Sequence, residues 1–305
     1  IIGDADDLLV RNKISLQVDQ FAIAQQLDIS ITDYYVCDGT RTDFEAPSSS
    51  IAPFDLTESD MLFRWERGLS IPIHTGLFRR SLFGDRPPFL ESQRAKEDWV
   101  FWVGLALAGK RIGYLPLRLA AYRVHGNNMT RSWAAMGLEW LKAARQIEIW
   151  LDGRHPDFMP RSLAWHRDFY LVRAESAPVK APRPDPAPES PEPESPEPLA
   201  EIDVPSPVRP SACAPTAASE SVDSKRPRIS VVIPVYNHAR YLESCIESVS
   251  KQTFAPVEIL CVDDASPDPS VGPVLQEVAA RTPMVRLMLL EKNVGIAAAQ
   301  NAALK

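Results

Sequence analysis

Half of the chain's 28 prolines fall between Ser176 and Pro227, and that segment constrains what the remainder can form. Proline gives no amide hydrogen to a helix or a sheet ladder. Runs such as Pro191-Glu192-Pro193-Glu194-Ser195-Pro196 hold too few apolar side chains to bury a core. The segment therefore reads as an extended, partly polyproline-like disordered linker. It divides the 305 residues into 1–175, the linker 176–227, and 228–305. A ligand for a proline-binding module is the other reading; the acidity and the lack of flanking basic residues favour a plain spacer. Nine Asp/Glu against five Lys/Arg give the linker −4 of the formal charge of −7. What is left is nearly neutral and offers no basic stripe, which excludes nucleic acid as a partner.

Nothing in the sequence reads as a membrane span, because no run of about 18 apolar residues occurs. No basic region followed by an apolar stretch opens the chain, so no signal peptide is read. The four cysteines, Cys37, Cys213, Cys245 and Cys261, share no metal-like spacing. They read as free thiols of a reducing compartment. The expected location is cytoplasmic, at most peripheral to the inner face of the membrane.

Apolar positions at Leu9, Ile14, Val18, Phe21 and Leu27 predict an amphipathic helix within 8–27. Ile29–Val36 reads as a strand and 37–60 as loop. Glu97–Ala108 reads as a helix with Gly109 as its stop signal. Ile112–Val124 is strand-like but interrupted at Pro116, and 133–151 is a further helix. After the linker the alternation is regular. Strands at Val231–Val235, Val257–Val262 and Val285–Leu290 are each followed by a helix. Continuous apolar strands between helices predict a parallel sheet covered on both faces, with ligands beyond the carboxyl ends of the strands.

Polar clusters stand at those ends. Asp4-Ala5-Asp6-Asp7 follows the apolar stub Ile1-Ile2-Gly3. Carboxylates in D-x-D spacing can share a hard divalent cation and leave coordination positions for phosphate oxygens; they can equally cap a helix. Asp263-Asp264 suits acceptance from a nucleobase or ribose, or a helix cap. Glu97-Asp98 opens a helix, where a carboxylate can take a proton from a hydroxyl or simply answer the helix dipole. The dipole lowers a carboxylate's pKa, so a base there is expected to act through position more than basicity. His125 reads as a metal or phosphate ligand, or as a surface histidine. Asn128-Met129-Thr130 matches a glycosylation sequon by chance.

Together, Val231-Val232-Ile233-Pro234-Val235-Tyr236-Asn237, Val262-Asp263-Asp264-Ala265-Ser266 and Asn293-Val294-Gly295-Ile296-Ala297-Ala298-Ala299-Gln300-Asn301 resemble the first half of family-two glycosyltransferases. Asp4-Ala5-Asp6-Asp7, Arg79-Arg80, Glu97-Asp98-Trp99 and Tyr122-Arg123-Val124-His125 resemble the second half. The resemblance covers about 1–130 and 228–305. It implies an α/β, GT-A (Rossmann-like) fold with a mostly parallel sheet and helices on both faces, here in two partial modules joined by the linker. Residues 1–175 would be the C-terminal part of one domain with a helical tail, and 228–305 the nucleotide-binding part of another.

The resemblance further implies inverting sugar transfer from a nucleotide-sugar, expected to be a UDP-sugar, to a glycan or other hydroxyl, with Mg2+ or Mn2+. Pro234, Tyr236, Asp263, Asp264 and Asn293 would line the donor pocket. Asp4, Asp6 and His125 would form the metal site, with Asp98 the base and Glu97 beside it. Gln300 stands where the family usually has arginine, and Gly3 where a large apolar residue usually precedes the D-x-D. Most of the strand carrying the D-x-D is missing from the pattern, so Asp4 and Asp6 are expected on a frayed terminus, with self-association through incomplete sheets. The expected source is a multi-module polysaccharide synthase of which this is a fragment, and the isolated fragment is expected to be poorly active. A catalytically incomplete nucleotide-binding or scaffold protein is the alternative. A dehydrogenase is disfavoured because no G-x-G-x-x-G follows a strand.

Overall fold

A computed structural model describes residues 1–38, 44–45, 51–84, 87–125, 132–176 and 227–305. Residues 177–226 of the linker, the Asn128–Thr130 sequon and, within the 37–60 loop, 39–43 and 46–50 lie outside the described residues. In chain order the elements begin with strand β1 (Leu8–Leu9), helix α1 (Lys13–Ile23), β2 (Ile29–Asp38), β3 (Phe44–Glu45) and α2 (Glu58–Phe63). There follow β4 (Gly76–Phe78), α3 (Glu97–Leu107), β5 (Ile112–Val124), α4 (Trp133–Leu151), α5 (Phe158–Trp165) and α6 (Val172–Ser176). The last are β6 (Ser230–Val235), α7 (Ala239–Ser250), β7 (Glu258–Asp263), α8 (Val271–Arg281), β8 (Val285–Leu289) and α9 (Ile296–Leu304).

The α/β architecture is as expected, and β6, β7 and β8 pair in parallel in that order. The apolar stub continues this sheet on the free side of β6. Ile1 donates its amino group to the Ser230 carbonyl at 2.9 Å. The Val232 amide donates to Ile1 at 2.9 Å, and Gly3 donates to the Val232 carbonyl at 2.8 Å. The next rung would need the amide of residue 234, which is Pro234 and has none. The ladder therefore ends at Gly3, and the chain is released into the Asp4–Asp7 turn. The terminus expected to fray is instead paired, with Ile1 7% and Ile2 1% exposed.

The two segments flanking the linker share one hydrophobic core. Helix α7 buries Tyr241, Leu242, Cys245, Ile246 and Val249. Polar groups on it and just after it serve the other segment: Leu9 donates to Ser248 Oγ, and Gln252, two residues past the helix, accepts from the Ile14 amide and donates to the Val10 carbonyl. At α9, Asn301 exchanges two hydrogen bonds with the backbone of Phe89. Asparagine satisfies a buried amide and carbonyl at once here, removing a cost of about 1–3 kcal/mol for each group left unpaired.

Three sequence expectations change in detail, and the first is that the 37–60 stretch read as loop carries β3 and the start of α2. The helix expected from residue 8 begins at Lys13, because Leu8 and Leu9 pair antiparallel with Ala121 and Ala120. Strand β5 runs through Pro116 without a break. Leu115 pairs with Thr32 and Arg118 with Asp33, so Pro116 and Leu117 form a bulge where no amide is demanded. Gly109 stops α3 at φ +65° as expected. Cys37, Cys245 and Cys261 are buried free thiols. No described helix is long and apolar enough to cross a membrane.

Candidate functional site

The D-x-D turn lies where the end of the stub, the loop after β6 and the end of β5 converge. A 3.2 Å hydrogen bond from the Asp7 amide to the Asp4 carbonyl closes the turn. The end of β5 grips it: Arg123 donates its amide to Asp7 Oδ1 at 2.8 Å and its Nε to the Asp6 carbonyl at 2.7 Å. Two residues on, His125 Nε2 sits 2.7 Å from Asp6 Oδ2. His238, just before α7, places Nδ1 3.6 Å from the same oxygen. Burial pushes Asp6 up, but the His125 hydrogen bond and the two imidazoles prevail and hold it below the ordinary carboxylate value.

A second cluster backs the first. His74 is wholly buried, with Nδ1 2.7 Å from Asp7 Oδ2 and 3.8 Å from Asp4 Oδ2, and its ring stacks on Tyr122. Burial drags the His74 imidazolium down, but the Asp7 and Asp4 carboxylates outweigh it and hold it up at about 9. Burial also pushes Asp7 up to about 7 against the pull of His74, so the two form one buried acid–imidazole pair behind the turn. Losing one partner of such a pair strands a charge at a cost of about 3–5 kcal/mol.

The acid pair opens α3. Lys96, at a left-handed φ of 64°, starts the helix and pairs with Glu66. Glu97 is buried and Asp98 half-buried. The dipole argument expects lowered pKa values, and the structure reverses it. Burial first, then the Asp98 charge, pushes Glu97 up to about 8. Burial also pushes Asp98 up to about 6, against the pull of Lys96 and of the Trp99 amide. Desolvation exceeds the end-of-helix effect because the first turn is covered. Asp4 bears on both groups electrostatically, which links the acid pair to the D-x-D turn.

At the ends of β6 and β7, Pro234 is buried in its strand and Tyr236 is 43% exposed. Asp263 Oδ1 accepts from the amide and hydroxyl of Ser266. Asp264 is 3% exposed and takes the Val294 amide at 2.7 Å, the Gly295 amide at 2.8 Å and Asn293 Nδ2 at 3.0 Å. Its carboxylate holds the 293–295 loop. Gln300 is buried in α9 and brings no charge to the site. Arg79 and Arg80 spend their guanidinium groups on the carbonyls of Leu27, Gln25, Phe83 and Leu304.

Sequence reasoning passes over His74 and His238. His74 sits in an unpatterned apolar stretch, and no local signal marks it. His238 follows Tyr236-Asn237 directly, and that adjacency to a strand-end cluster is the one signal for it.

Residues 230–305 match the model described as glycosyl transferase family 2. The chain is 40% identical over 87 residues to the chondroitin synthase of Escherichia coli, covering 28% of this chain and 12% of that protein. It is 34% identical over 79 residues to the uncharacterized glycosyltransferase EpsJ of Bacillus subtilis, covering 26% and 22%. To the hyaluronan synthase of Pasteurella multocida it is 38% identical over 77 residues, covering 25% and 8%. The chain thus spans less than a quarter of the length of each of these relatives.

Proposed function

We propose, from the match of residues 230–305 to glycosyl transferase family 2, that the chain serves inverting transfer of a sugar from a nucleotide-sugar to an acceptor hydroxyl in polysaccharide synthesis. The observation that carries this reading is the convergence on Asp6. A carboxylate held below its ordinary value faces His125 at 2.7 Å, at the carboxyl end of a parallel sheet where such ligands bind.

Asp6 and His125 would hold a divalent cation, Mg2+ or Mn2+, with Asp4 beside them. The donor set fits: a carboxylate is an ordinary ligand for either ion, and a neutral imidazole suits Mn2+ better than Mg2+. The ion, when bound, offsets charge on the departing diphosphate. Arg123 fixes the turn through the Asp6 carbonyl, so the carboxylate stays aimed at the site. Asp264 holds the 293–295 loop, and Tyr236 offers an exposed ring at the sheet end for the donor nucleoside, with a UDP-sugar as the proposed donor.

Asp98 would take the proton from the acceptor hydroxyl as that oxygen attacks the anomeric carbon from the face opposite the nucleotide. Raised to about 6 by burial, it is ionised at neutral pH and basic enough to accept the proton, the balance general-base catalysis requires. Glu97, raised further by burial and by Asp98, would stay protonated at neutral pH and donate towards acceptor oxygens.

Incubating the chain with a panel of UDP-sugars, glycan acceptors and Mn2+ tests the reading, with product configuration read by NMR. Transfer with inversion at the anomeric carbon is expected. Donor binding with no transfer to any acceptor would instead assign a nucleotide-binding scaffold.

A further inference from the structure

We propose that His238 is a third protein ligand of the cation site, which makes it a two-histidine, one-carboxylate centre that favours Mn2+ or a similar transition ion over Mg2+. This rests on the reading of Asp6 and His125 as metal ligands, and it adds a residue outside the D-x-D motif.

The geometry around His238 is that of a ligand. Its Nδ1 lies 3.6 Å from Asp6 Oδ2, too far for a hydrogen bond. That nitrogen is buried and has no hydrogen-bond partner among the described residues. Leaving a ring nitrogen so is costly unless something else occupies the position. Two ligand atoms sharing one ion at about 2.0–2.2 Å stand roughly 3–3.6 Å apart, the separation found between His238 and Asp6. One ligand atom from each of Asp6, His125 and His238 lies within 4.8 Å of the other two. The two imidazoles approach edge to face, with ring centroids 5.2 Å apart, so both can turn a nitrogen towards one point.

The backbone enforces that placement. Asn237, immediately before His238, takes a left-handed φ of 61°, a conformation that costs a non-glycine residue energy unless held. It is held on two sides: its amide donates to Ser266 Oγ and its side-chain oxygen accepts from the Asp268 amide, each at 3.1 Å. The loops after β6 and β7 thus lock the residue that aims His238 inward. The Asp4–Asp7–His74 cluster is a poorer cage, because Asp7 already takes the Arg123 amide on its other oxygen.

The donor set decides the ion. Mg2+ prefers oxygen ligands and keeps its waters, whereas imidazole suits transition ions. Pulsed electron paramagnetic resonance of Mn2+ bound to the full chain, labelled with 15N-histidine, counts coordinated imidazoles without any substitution. Two coupled histidine nitrogens are expected. His238→Ala should remove one coupling and weaken Mn2+ binding by roughly tenfold or more, with Mg2+ binding changed far less. A single coupling that persists unchanged in His238→Ala overturns the proposal and leaves Asp6 and His125 as the site. No histidine coupling at all, with Mn2+ binding insensitive to Asp6→Asn, overturns both.

Discussion

The Gly3 amide donates to the Val232 carbonyl across 2.8 Å, tying the residue before the D-x-D motif to the middle of β6. Asp4 and Asp6 therefore take their position from a strand more than two hundred residues away. Replacing Ile2, which is 1% exposed and bridges Val232, by aspartate buries a carboxylate in that contact. Ile2→Asp should lower the melting temperature by about 10 °C or more, since an unpaired buried charge costs several kcal/mol. An unchanged melting curve would mean that the stub does not occupy the sheet.

The same contact bears on how the two flanking segments behave. Because 1–176 and 227–305 share a core and reciprocal hydrogen bonds, proteolysis within 177–226 should leave both pieces in one complex on gel filtration. Separation of the pieces under native conditions would show that the shared core is too weak to persist without the connection.

How far the sequence can be read depends on how local each signal is. The strands and helices of 228–305 are legible because each strand is a continuous apolar run bounded by polar strand ends. The start of α1 is not, since only pairing of Leu8 and Leu9 with β5 converts helical periodicity into strand. Pro116 reads as an interruption, and only the β2–β5 register shows the bulge that accommodates it. The D-x-D motif is legible as a motif. Its environment is not, because His74, Arg123 and His238 reach it through tertiary contacts. The acid pair's pKa values run opposite to the sequence expectation for the same reason: burial of the α3 first turn is invisible in sequence, whereas its dipole is not.

Asp98→Asn should cut the rate of transfer by roughly two to four orders of magnitude while leaving donor binding nearly unchanged. The base must be unprotonated, so the wild-type rate should rise with pH through about 6 and then level. A rate that is flat across that range, or a collapse of donor affinity in the variant, would assign Asp98 a different task.

Asp264→Asn tests the proposal that the 293–295 loop lines the donor pocket. The carboxylate accepts from two amides and one side chain, and an amide group offers only one accepting oxygen. One loop N–H would then face a donor, at a cost of about 1–3 kcal/mol. Donor binding should weaken and the 293–295 amides should exchange faster. Wild-type exchange at Val294 and Gly295 would show that the loop is held by other contacts.

Lys13 gives a stability test separate from catalysis. It is fully buried, its Nζ donates to Gln17 Oε1 at 2.7 Å, and burial drags its pKa from 10.5 to about 7. The folded state therefore binds fewer protons than the unfolded chain between those values, and stability rises with pH across that window. The penalty is full below about 7 and fades towards 10.5. Lys13→Met keeps the length of the side chain and removes the charge. It should stabilise the fold by a few kcal/mol at pH 6, since each tenfold loss of proton affinity on folding is worth about 1.4 kcal/mol. The advantage should shrink steadily as the pH is raised to 10. Denaturant titrations of both proteins at pH 6, 8 and 10 measure it. A constant difference, or a variant less stable at pH 6, would mean that Lys13 is charged and paired in the folded protein.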